Sequence, residues 1–231
     1  MGSDRLGHPG QTDGAWEGDV TEPPTGCGLY GVIEAGDGAG ERLAAALDAV
    51  ELAAVLVAPA AGRRLDAEDA RPLVAQARQA GAAALLLNDG GLARALGADG
   101  VHLGPQDDAL AAYRAARDSL GKDAVIGADA GISRHTAMVL AEAGADYVAF
   151  GAPRHLKDLD KAQARREEMI AWWAPLFEVP CVAFDVETGE EAARLAAAGA
   201  DFLAVALPAE VAPPALRERL AGIARAMETS R

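Results

Sequence analysis

Three segments of this chain repeat one short phrase: Gly97-Ala98-Asp99-Gly100, Gly144-Ala145-Asp146-Tyr147 and Gly199-Ala200-Asp201-Phe202, each running on into apolar residues. A glycine just past a helix end supplies the left-handed turn that satisfies free carbonyls, and the aspartate marks entry into a buried strand. The copies recur at roughly 50 residues, the length of two strand-helix units of about 25 residues each. The repeat therefore calls for a chain of successive βα units, and it assigns Asp99, Asp146 and Asp201 to the scaffold, at the strand starts.

Apolar patterning after residue 27 fills in the rest. Strands are predicted at 29–33, 53–58, 83–87, 100–103, 124–128, 147–150, 179–184 and 202–206, and helices at 40–50, 66–80, 91–96, 108–120, 133–143, about 161–173, 188–198 and 213–227. Pro213 and Pro214 suit a first helical turn. Eight alternations predict an α/β fold of the (βα)8 TIM-barrel type, one domain over 27–231; an open doubly wound sheet is the alternative, with no Gly-rich dinucleotide turn to support it. The 231 residues are 51% hydrophobic but only 4% aromatic, enough apolar surface for one core of small side chains. Residues 1–26, rich in Gly, Pro, Thr and Asp without apolar period, are expected to form a flexible leader.

A net charge of −14 argues against a nucleic-acid partner, because phosphate contacts need clustered Lys and Arg. No apolar run approaches the roughly 18 residues of a membrane span, and no basic-then-apolar signal precedes the fold, so no membrane partner and a cytoplasmic location are expected. Cys27 and Cys181 show neither disulfide nor metal spacing, and Cys181 reads as an inert core residue. Trp172-Trp173 on a helix offers a possible homodimer patch, although one Trp inward and one partly exposed is the ordinary helical result.

In a barrel of this kind the loops after the strand ends converge on one face, so polar residues there are the candidates. They are Arg63 and Arg64 after strand two, Asn88 and Asp89 after strand three, His102, Gly104, Gln106 and Asp107 around the end of strand four, and Asp129 after strand five. Gly151, Pro153, Arg154, His155 and Lys157 follow strand six, and Asp185 follows strand seven. Asp89 and Asp107 are hard oxygen donors on neighbouring loops, the type of pair that holds Mg²⁺ against a substrate phosphate; each also precedes a helix, where Asp is a preferred cap. His102 lies within a strand and is expected to pack and hydrogen-bond inside the scaffold.

The stretch Leu85-Leu86-Leu87-Asn88-Asp89, continued by Ala98-Asp99-Gly100-Val101-His102-Leu103-Gly104-Pro105-Gln106-Asp107, strongly resembles the thiamine-phosphate synthase and thiazole tautomerase superfamily. The likeness resumes at Val125-Ile126-Gly127, at Gly144-Ala145-Asp146-Tyr147-Val148 and at Gly151, and in layout covers most of residues 28–227. It implies a (βα)8 barrel and, in the synthase branch, the joining of a pyrimidine methyl pyrophosphate to a thiazole phosphate with release of pyrophosphate. It further implies Mg²⁺ held by Asp89 and Asp107, a phosphorylated small-molecule ligand met by Asn88, Gly127 and Gly151, and Lys157 in the catalytic place of the family's loop Lys; Asp129 as a catalytic group, and Asp185 and Arg63 as ligand contacts, are candidates from their place at the same mouth and not from the resemblance.

The chain departs from that pattern at four places, one of them the stretch Arg154-His155-Leu156-Lys157 after strand six, which is shorter than the family's loop with a Thr and a Lys. Val55-Leu56-Val57-Ala58-Pro59 stands where the family carries an Arg and a Lys after strand two, Asp129 stands in place of a Ser after strand five, and Phe184-Asp185 replaces a Gly pair after strand seven. A carboxylate about 4 Å from a phosphate oxygen repels it by about 4 kcal/mol at an effective dielectric near 20; a cation between them reverses that sign, so Asp129 and Asp185 also read as extra cation ligands. Three functional readings stay open: a synthase-type transferase with an atypical pyrophosphate site, a degenerate barrel that binds a ligand or metal without turnover, and a tautomerase-like isomerase using His135. His135 sits in a first helical turn that Ser133 is placed to cap.

Overall fold

The computed structural model describes residues 26–152 and 157–228. Eight parallel strands close into a barrel in chain order, with one helix after each. The strands are β1 (Gly28–Glu34), β2 (Ala54–Ala58), β3 (Ala83–Leu87), β4 (Gly100–Leu103), β5 (Val125–Asp129), β6 (Tyr147–Phe150), β7 (Cys181–Val186) and β8 (Phe202–Ala206). The helices are α1 (Ala39–Ala49), α2 (Ala67–Gln79), α3 (Gly90–Leu96), α4 (Ala109–Leu120), α5 (Arg134–Glu142), α6 (Leu159–Trp173), α7 (Gly189–Ala197) and α8 (Pro213–Glu228). Closure is parallel throughout: β1 pairs with β2 (Tyr30 opposite Ala54) and with β8 (Tyr30 opposite Ala204). The open-sheet alternative is therefore excluded. The expected leader falls almost wholly outside the described residues, and among those described no helix is long and apolar enough to cross a membrane.

The repeated phrase does the same work at each copy. Gly97, Gly144 and Gly199 take φ of 66°, 93° and 101°, and the next amides, of Ala98, Ala145 and Ala200, reach back to the carbonyls of Ala93, Leu140 and Leu195. These are the six-to-one bonds of a Schellman turn. Each aspartate then staples the strand it begins to the strand before. The Oδ2 of Asp99 accepts from Ala84 N at 2.8 Å, that of Asp146 from Ile126 N at 2.7 Å, and that of Asp201 from Cys181 N at 2.8 Å, while each aspartate's own N–H donates to the carbonyl of the same partner residue. A fourth copy of the turn, Gly81-Ala82 at the end of α2, has φ of 83° at the glycine and the Ala82 N–H bonded to Ala77 O, but Ala83 replaces the aspartate. Asp99→Ala leaves the Ala84 N–H without its acceptor and is expected to cost about 1–3 kcal/mol in urea unfolding; Asp99→Asn keeps an acceptor and should recover most of that.

Two apolar layers hold the barrel. Outward strand residues such as Val55, Leu86, Val148 and Leu203 pack beneath the helices, and Cys181 joins this layer with its thiol pushed up to about 12, chiefly by burial. Inside the barrel lie Tyr30, Ala54, Leu56, Leu85, Tyr147, Ala149, Val182 and Ala204. Three of these are alanines, which leave room for the two tyrosines that take up much of the bore. The Tyr30 and Tyr147 hydroxyls share a hydrogen bond of 3.0 Å, and Tyr147 shares another of 3.0 Å with His102 Nδ1. The His102 ring stacks on Phe184 with centroids 4.6 Å apart, so a satisfied polar chain crosses the barrel and His102 plays its expected packing role.

Burial lowers the His102 pKa from 6.5 to about 3. The unfolded chain takes up that proton near 6.5 and the native state only near 3, so in this window the unfolded state binds more protons and stability falls as pH falls. This one residue should withdraw about 2 kcal/mol between pH 6.5 and about pH 5. Denaturant titrations at about pH 7 and about pH 5 should show a smaller loss in His102→Gln than in the parent; equal losses would mean that other groups set the acid response.

Candidate active site at the strand C-terminal ends

Helix starts shape the mouth of the barrel. Side chains of Asp66, Asp89, Asp108, Ser133, Asp158 and Thr188 cap α2, α3, α4, α5, α6 and α7 in turn. Much of the acidity on this face is therefore committed to helix N-termini, at about 1 kcal/mol per cap. Asp89 is one of these: its Oδ1 accepts from Leu92 N at 2.8 Å, leaving Oδ2. Asp107 is not, because α4 is capped one residue later by Asp108, whose Oδ1 accepts from Ala111 N at 2.9 Å. The capping alternative thus holds for Asp89 and is corrected by one residue for Asp107, which is exposed and has no hydrogen bond or ion pair with a described residue.

Asn88 joins the two loops that carry these carboxylates. It adopts φ 57°, a left-handed conformation that Asn tolerates, and its N–H donates to His102 O at 3.0 Å. Its Oδ1 accepts from Gly104 N at 2.9 Å and from Gln106 Nε2 at 3.4 Å. The junction sits one residue before Asp89 on one loop and one before Asp107 on the other. Among the described residues no three His, Cys, Asp or Glu side chains cluster to hold a metal. Mg²⁺ needs fewer: one or two carboxylates serve when substrate phosphate and water complete the octahedron. Asp89 Oδ2 and the two Asp107 oxygens are donors of that kind, so the residues fit the ion.

Further round the barrel, at β5 and β7, the strands run past the ends that the sequence predicts. β5 includes Asp129, and β7 continues through Asp185 to Val186 with a bulge between Ala183 and Val186, where Asp185 takes φ 61°. Asp129 Oδ1 accepts from Gly131 N at 2.5 Å, and Asp185 Oδ2 accepts from the buried Ala152 N at 3.0 Å. Burial raises the Asp129 pKa, the Gly131 bond opposes that rise, and the charge of Asp185 adds to it. The two carboxylates share one field.

The remaining expected residues are dispersed. Arg63 is exposed and pairs with Asp69 at 3.7 Å across the start of α2, and Arg64 is exposed beside it. Lys157 is exposed just ahead of α6, which begins at Leu159 rather than near 161. Gly151 is buried at the end of β6, and Gly127 lies in the barrel interior with the Tyr147 ring where its Cβ would be. Pro153, Arg154 and His155 lie outside the described residues. His135 is exposed in the first turn of α5, which Ser133 caps as expected, its Oγ accepting from Thr136 N at 3.1 Å. Of the tryptophan pair, Trp173 is buried and Trp172 half-buried.

Two buried arginines at the rim were not singled out from the sequence. Arg42 donates to the carbonyls of Glu34, Asp37 and Leu207, closing β1 onto the β8 exit. Arg166 of α6 donates to Phe184 O at 2.5 Å and Asp185 O at 3.3 Å and pairs with buried Glu191 of α7. The signal was available: Arg166 shares the helical stripe of Met169, Ile170 and Trp173, where a charge must find a buried partner.

Comparison with known proteins agrees with this layout. Residues 29–207 match the model of the family described as thiamine monophosphate synthase. The thiamine-phosphate synthase of Rhodospirillum centenum is 46% identical over 168 residues, covering 71% of this chain and 78% of that protein. The enzyme of the same name from Azoarcus sp. is 38% identical over 159 residues, covering 69% and 75%. Among solved structures, thiamine phosphate pyrophosphorylase from Pyrococcus furiosus superposes with a TM-score of 0.68 at 21% identity, over 88% of this chain and 96% of that one, which speaks to the fold. The family match over residues 29–207 and these relatives show that the chain belongs to the thiamine monophosphate synthase family.

Proposed function

We propose that this protein joins a pyrimidine methyl pyrophosphate to a thiazole phosphate and releases pyrophosphate, through a mouth whose anion contacts differ from the family pattern. The observation that carries the reading is the Asn88 junction, which ties together the loops bearing Asp89 and Asp107 while both retain uncommitted carboxylate oxygens. Asp89 Oδ2 and Asp107 would hold Mg²⁺, which when bound supplies the positive charge that stabilises departing pyrophosphate. Asn88 Oδ1 is spent on Gly104, so its amide nitrogen is the group left to donate to a phosphate oxygen. Lys157, exposed at the entrance to α6, adds a cation on the same face. Asp129 and Asp185 repel anions and so face the uncharged or cationic parts of the substrates.

That acidic pair also favours a second reading, a ligand-binding barrel without turnover, because a pyrophosphate arriving without its cation meets two carboxylates. Incubation with both substrates and Mg²⁺, followed by measurement of released pyrophosphate, separates the two. Mg²⁺-dependent release supports the transferase. Calorimetric binding of Mg²⁺ and pyrophosphate with no release supports the binding protein, and neither result would remove both. The tautomerase alternative rests on His135 alone; His135→Ala should then abolish proton exchange on a thiazole carboxylate phosphate, and absence of exchange in the parent ends it.

A further inference from the structure

We infer that the buried Arg166–Glu191 pair is a positioning device for the mouth, holding the β7 bulge so that the Asp185 carboxylate is presented to Ala152 and Asp129. The inference rests on the reading of the mouth as the functional site, and it concerns how that site is kept in shape.

The contacts form a closed circuit. The Arg166 guanidinium, 1% exposed, donates through one nitrogen to both bulge carbonyls, Phe184 O and Asp185 O, and through another to Glu191 Oε1. Glu191, 4% exposed, accepts from Gln163 Nε2 at 3.1 Å and, through Oε2, from Glu187 N at 2.9 Å. Backbone groups on both sides of the bulge are thus fixed from α6 and α7. The bulge in turn sends Asp185 Oδ2 back to Ala152 N, in the loop that leads into α6. Loop, helix and strand end are linked in a ring of which Asp185 is one member.

An ion pair buried this deeply is a poor way to gain stability alone. Removing two charges from water is costly, and well-packed apolar residues of similar volume are often as stable or more so. The Nε of Arg166 has no hydrogen-bond partner, so the guanidinium is not placed for its own full satisfaction. Its other two nitrogens go to Glu191 and to the carbonyls of a bulge whose Asp185 holds φ 61°, a left-handed conformation that Asp tolerates and that breaks the regular strand. Without the fork, those carbonyls lose the Arg166 donor, and the balance shifts from the bulge toward a regular strand. The Asp185 side chain would then leave Ala152.

Amide hydrogen exchange on the full-length protein tests this in Arg166→Lys, Glu191→Gln and the double variant Arg166→Met/Glu191→Leu. Ala152 should exchange at least about tenfold faster in each, while the Ala84 amide, held by Asp99 at the far end of the barrel, keeps its parental rate. A pair that only adds to global stability would accelerate both amides together. Unchanged Ala152 exchange in any folded variant overturns the inference, and so does loss of fold in all three, since the pair would then be a folding element only. The readout needs neither substrate nor turnover, so failure of the proposed reaction leaves this result standing, and failure here leaves the reaction to its own assay.

Discussion

Replacing Asp107 by Asn is expected to lower Mg²⁺-dependent pyrophosphate release about 100-fold, the scale on which lost metal-site support acts, while leaving the urea midpoint unchanged. The two effects separate because of where the side chain sits. Asp107 is exposed and bonded to no described residue, so its carboxylate contributes nothing to the fold that Asn would remove, and surface changes of this type stay within about 0.5 kcal/mol. Asp108→Ala, one position on, should do the reverse: it removes the α4 cap at about 1 kcal/mol and leaves turnover in place. Asp89→Asn lies between them, keeping an oxygen for Leu92 N but losing the charge, so activity should fall with little change in stability. Parental activity in Asp107→Asn would remove that residue from the cation site; equal losses of activity in Asp107→Asn and Asp108→Ala would mean that the loop as a whole, not one carboxylate, is required.

The architecture was legible because its determinants are local and repeated. Gly97, Gly144 and Gly199 announce their own backbone conformation, and a Schellman turn followed by an apolar strand can be read without knowing the partner. The boundaries of β3, β4, β6 and β8 matched for the same reason. β7 did not: Asp185 reads as a loop residue, yet it lies within the strand because Arg166, 19 positions earlier, supplies the donor its bulge requires. That information is tertiary. The mouth divides along the same line. Asn88, Asp89 and Asp107 are recognisable as a motif, whereas the assignment of the α4 cap to Asp108 rather than Asp107 depends on where the helix axis begins, a difference of one residue between two identical side chains. Gly127 stands in the sequence as part of a family motif; what it does in the barrel depends on a tyrosine one strand away.

That tyrosine sets the second large effect. Gly127→Ala is expected to destabilise the protein by about 3 kcal/mol or more, beyond the usual cost of overpacking, because the added methyl has nowhere to go. A Cβ at Gly127 would lie 1.9 Å from Tyr147 Cζ and 2.2 Å from both Cε atoms, inside the ring itself. An end group can swing aside from such a clash, but this ring is held. Its hydroxyl is shared with Tyr30 and His102, both at 3.0 Å, and its face lies parallel to the His102 ring at 7°. Moving it would leave two buried polar partners unsatisfied in the middle of the barrel, each at about 1–3 kcal/mol. The same reasoning predicts strong coupling with a shortened side chain. Tyr147→Leu alone opens space and orphans its partners, but in the Gly127→Ala background it also removes the clash, so the double variant should be clearly more stable than the sum of the single losses. Urea unfolding of the four proteins measures that term directly. Simple additivity, or a Gly127→Ala protein within about 1 kcal/mol of the parent, would mean that the ring can yield and that the polar chain across the barrel is looser than its distances imply.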